Sequence, residues 1–299
     1  MRGLASFVMR GRWQAALVIA GMALLPVLNL FSGAALVLVT LRQGPREGLL
    51  TGLLSVAASA ILLLLLTDSV MPAAGLAGVF WLPLWLLAAI LRYTVALDKT
   101  LPAALLGVTL AMLTYAAYLG DPTAWGTALL EQVLAPVLAP LGLGDDAAAL
   151  AQVRELLAPL MLGLMFANIL LTVLISLLLG RWWQALLYYP GGFRCEFHEL
   201  RLGKPMALMA LGVFSLAVLL NQPLLVNLAM LWLVVYALQG VTLVHGLVAK
   251  AGLAPGWLVG FYVLLALALP QLAVILCLLS VLDPWADFRA RVKPRAGAD

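Results

Sequence analysis

Long apolar runs, parted by short polar turns, fill almost the whole chain, and most have the length of a membrane crossing. Trp13 to Leu41 is apolar over 29 residues, interrupted by Pro26 and Asn29. It predicts either one tilted helix or two short ones folded back at the proline. The basic turn Arg42 to Gly48 leads into a clear span, Leu49 to Thr67, and Ala73 to Leu91 is the next, carrying Trp81, Pro83 and Trp85. Arg92 to Lys99 forms a second basic turn before Leu101 to Leu119, which holds Tyr115 and Tyr118. Leu156 to Leu179 carries one amide, Asn168, and further on Pro205 to Leu220 and Leu224 to Val248 are parted by Asn221-Gln222-Pro223. The last run, Trp257 to Leu282, is broken at Pro270-Gln271 much as the first is at Pro26.

Two segments depart from this pattern. Residues 120–154 carry Asp121, Glu131, Asp145 and Asp146 around an apolar section broken by Pro136 and Pro140. They read as an outer-face loop with an interfacial or re-entrant helix, too interrupted to span. Residues 181–204 combine headgroup-zone aromatics (Trp182, Trp183, Tyr188, Tyr189), a Pro-Gly-Gly break and a mixed-charge run. They read as a cytoplasmic loop, and residues 283–299 as a cytoplasmic tail. The expected fold is all-α: one integral membrane domain over residues 1–299, a polytopic transmembrane helical bundle of 8–10 membrane segments, two of them Pro-broken.

Composition agrees, since with 65% hydrophobic and 10% charged residues a soluble domain could not cover its own surface. The net charge of +4 matters less than where the cations sit, and carries no nucleic-acid reading. If the first and last runs fold back, ten segments result, and both termini share a side with the basic turns. That side then holds 17 − 1 = 16 of the Lys and Arg residues, Arg154 being the exception. If both runs cross once, eight segments result and the cations split seven against nine. The positive-inside rule favours the first arrangement, with both termini in the cytoplasm of a bacterial inner membrane. Half-spans of about 13 residues, short of the usual ~20, argue for the second unless neighbours bury them. A removable signal peptide is not expected: the basic start fits one, but no A-x-A-like cleavage site follows. Cys195 and Cys277 stand without CxxC or His–Cys company, so neither a disulfide, a metal site nor any other cofactor is expected.

Almost no ionisable residue falls inside the clear spans, which argues against a proton- or ion-coupled carrier. Nucleotide loops, HExxH and the nucleophile elbow are absent. His198, between Glu196 and Glu199, is the one acid–base constellation, and a solvated interfacial charge run is the plainer reading. The polar residues within the runs are chiefly amides: Asn29, Asn168, Asn227, Gln239 and Gln271. Such groups act as glue between helices or line a pocket for a neutral or amphiphilic molecule. Asn29 and Gln271 each stand within three residues of a helix-breaking proline, where freed carbonyls can line a cavity. Gly44, Gly48 and Gly52 form a small-xxx-small stripe, and Ala16 and Ala20 an A-x-x-x-A; each serves packing within the chain or contact with another.

Trp183, Tyr189-Pro-Gly-Gly-Phe193, Glu196-Phe197, Leu200-Arg201, Gln239-Gly240 and the terminal Asp283, Trp285 and Asp287-Phe288-Arg289 resemble the YybS-like family of bacterial membrane proteins, a domain of unknown function. The hydropathy profile agrees over most of the chain. That family is similar in profile to the substrate-binding S-components of energy-coupling-factor transporters and to the rod-shape protein MreD. The resemblance implies that Ala16 and Ala20 match the A-x-x-x-A by which an S-component meets its membrane partner. This chain has more membrane segments than the usual six, and no vitamin-site motif carries over.

The resulting expectation is a non-enzymatic membrane protein, with no catalytic residue assigned, that binds a small or lipid-like molecule through Asn29, Asn168 and Gln271. A membrane-protein partner or a second copy would be met through Ala16, Ala20, Gly44, Gly48, Phe193, Arg194, Glu196 and Arg201, the last four also facing lipid headgroups. The rivals are a membrane scaffold without transported substrate and a lipid-modifying enzyme using His198.

Overall fold

The computed structural model describes residues 1–25, 27–138, 147–254 and 256–292, and the side chains of all of these but 67, 134–138 and 147–149. Every regular element among them is helical. Seven helices are long and apolar enough to cross a membrane. The protein is a membrane-embedded all-α bundle.

The chain opens with α1 (Arg2–Val8), α2 (Arg12–Ala23), α3 (Asn29–Gln43) and α4 (Pro45–Thr67). Next come α5 (Met71–Leu76), a π-helical turn (Ala77–Trp81), α6 (Leu82–Thr94) and α7 (Leu97–Leu119). Then follow α8 (Pro122–Leu138), α9 (Ala147–Leu157), a 3-10 turn (Ala158–Leu160) and α10 (Met161–Tyr188). The last third holds α11 (Gly192–Glu199), α12 (Gly203–Leu220), α13 (Pro223–Lys250), α14 (Gly256–Leu267), α15 (Leu269–Ala286) and α16 (Phe288–Arg291).

Both Pro-broken runs fold back, so neither crosses as one helix. At the first, α2 and α3 form a hairpin pinned by Ser32, whose hydroxyl donates to the Ile19 carbonyl at 2.8 Å and accepts from Trp81 Nε1 at 3.1 Å. Arg12 then meets Glu47 at 2.6 Å, so the N-terminus lies at the end of the bundle where α3 turns into α4. Pro26 itself lies outside the described residues, as do Pro140, Asp145 and Asp146. At the last run, α14 returns along α13 (His245 Nε2 to Tyr262 Oη, 2.8 Å) and α15 runs back beside α13, with Gln239 Nε2 reaching the Ser280 carbonyl at 3.3 Å. Lys250 Nζ donates to the Arg289 carbonyl at 2.6 Å, which brings the C-terminal helix to that same end.

The half-span α3 is short, and its neighbours bury it. Residues 32–41 of α3 are buried without a break, enclosed by α2, α4, α6 and α10. Lipid offers no hydrophobic drive for helices to associate, so contact depends on backbones coming close through small residues. A Cβ at Gly180 of α10 would stand 2.5 Å from Val37 Cβ and 2.8 Å from the Ala34 carbonyl oxygen. One at Gly48 of α4 would stand 2.1 Å from Thr40 Oγ1. The helix α5–α6 bears Pro83, which has no N–H to give. Here the ladder widens by one residue, and the Leu82 N–H donates to the Ala77 carbonyl five positions back.

The 120–154 region is helical at both ends. A Cβ at Gly126 of α8 would be 2.2 Å from the Ala158 carbonyl oxygen, and Trp125 packs edge-on against Tyr115. Arg154 of α9 meets Glu131 of α8 at 3.6 Å. The 181–204 stretch departs further from a loop, since α10 runs through it to Tyr188 and α11 takes up most of the rest. Trp183, expected in the headgroup zone, is fully buried. The N-terminal tail is likewise a docked helix, with Ala5 and Val8 buried.

Gly180→Val is expected to cost about 1–3 kcal/mol by overpacking the α3–α10 contact. Gly78→Ala, with nothing within 4 Å of the added carbon, should leave the melting temperature in detergent unchanged.

Candidate functional site

Two clefts flank α3. The first, about 260 Å³, lies between α3, α4 and the π-turn, with Gly48, Gly52, Leu53, Gly78, Trp81 and Trp85 among its walls. Glycines on both sides leave the room: a Cβ at Gly52 meets only Leu36 Cδ1 at 3.6 Å, and one at Gly78 meets nothing. Both tryptophans direct their polar edges into the protein, Trp81 to Ser32 and Trp85 to the Pro45 carbonyl at 2.8 Å. What they offer the cleft is apolar ring surface. The second cleft, also about 260 Å³, lies between α3, α6 and α10 and is lined by Leu41, Leu91, Arg92, Val95, Arg181 and Gln184.

A polar knot occupies the turn-bearing end beside α13. Asp283 of α15 is fully buried and pairs with Arg289 at 2.8 Å, with Arg201 at 3.7 Å beside it. Arg201 also holds Asp287 at 2.7 Å, and Arg289 Nη2 donates to the Leu200 carbonyl at 3.2 Å. Gln239 accepts from the Leu202 N–H at 3.3 Å while its amide donates to Ser280. A Cβ at Gly246 would meet the His198 carbonyl oxygen at 2.8 Å, so α11 packs directly on α13. The bond from Arg201 keeps the Asp287 carboxyl below the usual carboxylate range. Several residues that carry the sequence resemblance (Leu200, Arg201, Gln239, Asp283, Asp287 and Arg289) therefore meet in one place.

The three ligand amides are not brought to either cleft. Asn29 is half-buried at the start of α3, its Oδ1 buried without a hydrogen-bond partner among the described residues. Asn168 and Gln271 are exposed on the outside of the bundle. Asn227 and Gln239 act as glue. Asn227 accepts from the Gly163 N–H and donates to the Pro159 carbonyl, both at 3.0 Å, satisfying groups freed where Pro159 interrupts the helix.

The expected partner contacts are largely spent within the chain. Ala16 and Ala20 are 3% and 4% exposed, so the A-x-x-x-A faces inward and offers no surface to another protein. Gly44 and Gly48 are buried where α3 turns back into α4. Phe193 stacks on Phe197 at 5.4 Å, Glu196 clamps Arg181, and Arg201 holds the C-terminal helix. Of this set Arg194 alone is exposed.

Asp283 and Arg289 were not singled out as site residues in the sequence, because they stand just past the last apolar run and read as tail. The available signal is that Asp283, Asp287 and Arg289 fall within two helical turns, the two acids opposite in sign to the cations of the central stretch. His198 is half-buried, its ring 6.2 Å from that of His245. Burial, reinforced by Arg194, holds the His198 imidazole below its ordinary 6.5. Its neighbour Glu196 is committed to Arg181, which leaves Glu199 as the carboxylate of the constellation whose charge acts on His198.

Asp283→Asn should strand the Arg289 guanidinium in a buried site and destabilise by about 3–5 kcal/mol. Asp283→Leu combined with Arg289→Met should recover most of that loss, measured as melting temperature and as tryptic cleavage at Arg291. A base with a depressed folded value resists a proton that the unfolded chain accepts. The His198 contribution is therefore complete above pH 6.5 and declines as pH falls through the folded value. The melting temperature should drop on acidification below 6.5, with a shallower slope in His198→Asn.

Comparison of the chain with known protein families, with characterised proteins and with solved structures finds no match.

Proposed function

We propose that this is a non-enzymatic, multi-pass protein of the bacterial inner membrane that binds a lipid-like molecule and works with a membrane-protein partner. The observation that carries the reading is the apolar cleft between α4 and the π-turn. Its walls combine three glycines with two tryptophan faces, and a groove of that chemistry suits a hydrocarbon tail. π-Turns occur often at functional sites, and this one leaves Gly78 with no neighbour within 4 Å of where its side chain would be. Binding is assigned to the cleft walls in place of Asn29, Asn168 and Gln271.

Both tails are assigned to the cytoplasm, with the basic turns around Arg42, Arg92 and Arg194, in keeping with the positive-inside rule. The resemblance to S-components supports a partner subunit, although Ala16 and Ala20 are too deeply buried to serve it. A scaffold reading is favoured by one feature: α14 contributes no buried residue to the bundle, so its apolar surface is free for another membrane protein.

Gly78→Leu and Gly52→Leu both project a side chain into the cleft. Each is expected to abolish co-purification of a bound lipid-like molecule, read by mass spectrometry after gentle extraction, with little change in melting temperature. Unchanged lipid recovery from both variants would overturn the reading.

A further inference from the structure

The second cleft is a site of different chemistry. Arg181, its side chain only 12% exposed, donates through Nε to Glu196 at 2.9 Å and through Nη1 to Gln184 Oε1 at 2.7 Å. Across the cleft Arg92 donates to the Leu41 carbonyl, and among the described residues it has no carboxylate partner. Gln184 Nε2 approaches the same carbonyl at 3.5 Å. Arg42, one residue along, lies over the Tyr188 ring at 4.2 Å.

The unpaired cation decides which ligand this suits. Arg92 and Arg181 line the cleft, and Arg181 is paired with Glu196, which leaves Arg92 as the lining cation without a carboxylate among the described residues. One of its nitrogens, Nη1, answers the Leu41 carbonyl near the C-terminal end of α3, an end that carries partial negative charge. The rest of the fork borders a partly enclosed volume of about 260 Å³. Guanidinium forks match the spacing of oxyanion oxygens. The cleft sits at the ends of α3 and α6, with Tyr188 and Tyr189 close by at the end of α10, where headgroups meet a membrane protein. Its remaining walls, Leu41, Leu91 and Val95, are apolar.

We propose that the cleft between α3, α6 and α10 binds a phosphate oxyanion, Arg92 being the principal cation and Gln184 the orienting amide. The phosphate belongs to an anionic phospholipid headgroup or to a free phosphate ion, the chemistry being shared. This site is separate from the apolar cleft, with α10 as its third wall in place of α4, and its occupancy does not depend on a ligand there.

The test is thermal stabilisation of the detergent-purified full chain by dioleoylphosphatidylglycerol, by dioleoylphosphatidylcholine and by inorganic phosphate. Arg92→Gln removes the unpaired cation. Because Arg92 also ties α6 to α3, Gln184→Glu serves as the second variant: it keeps an acceptor for Arg181 and adds a negative charge to the cleft. The anionic lipid should stabilise the wild type at lower concentration than the zwitterionic one, and each variant should weaken that effect about tenfold. Competition by inorganic phosphate supports a free-ion source; stabilisation by the lipid that phosphate does not relieve supports the headgroup. Equal response to both lipids with none to phosphate, or wild-type response in Gln184→Glu, would overturn the proposal.

Discussion

The bundle depends on how closely other helices can approach α3. In lipid, apolar side chains gain little by leaving hydrocarbon for one another, so cohesion rests on dispersion contacts and on satisfied polar groups. Ten consecutive buried positions on a 15-residue helix make α3 the axis, and Gly180 and Gly48 let α10 and α4 reach it. The same geometry creates the clefts. Where glycines face an opening instead of a backbone, as at Gly52 and Gly78, the close approach stops and a groove remains.

Polar groups are placed to resolve breaks that the prolines create. Asn227 bridges the interruption at Pro159, Ser32 pins the hairpin after Pro26, and the π-turn absorbs Pro83. At the turn-bearing end, Asp283 and Arg289 neutralise each other in a site neither could enter alone. Arg201 on Asp283 and Asp287, with Arg289 on the Leu200 carbonyl, ties the last helix to the segment after α11, so two charge-bearing stretches fold against each other. The protein holds its internal charge at one end, leaving the middle of the bundle to shape and amides.

The crossing helices were legible as apolar runs, and the fold-back of the first and last followed the distribution of Lys and Arg better than run length. The half-span α3 looks too short only because hydropathy says nothing about neighbours. α3 is covered on all sides, and burial by protein stands in for bilayer depth. The site was less legible. Asn168 and Gln271 read as candidate ligands because an amide in a run is conspicuous, yet both face outward. Glycines and tryptophans that line the apolar cleft carry no such mark in a chain rich in both, and Arg92 and Gln184 are distant in sequence until α3 brings them to a common carbonyl. Trp183 looked interfacial by its neighbours, but α10 continues past it and turns it inward.

One feature bears on the bilayer itself. α14 is 12 residues long beside the 28 of α13, about 18 Å of helix next to about 42 Å. A stretch that short cannot match a hydrocarbon layer of ~30 Å, and it has no protein shell to hide the deficit. Where a short apolar helix borders lipid, thinning of the layer is one accommodation, at fractions of a kcal/mol per ångström of mismatch, and that cost falls on whatever lies beside α14.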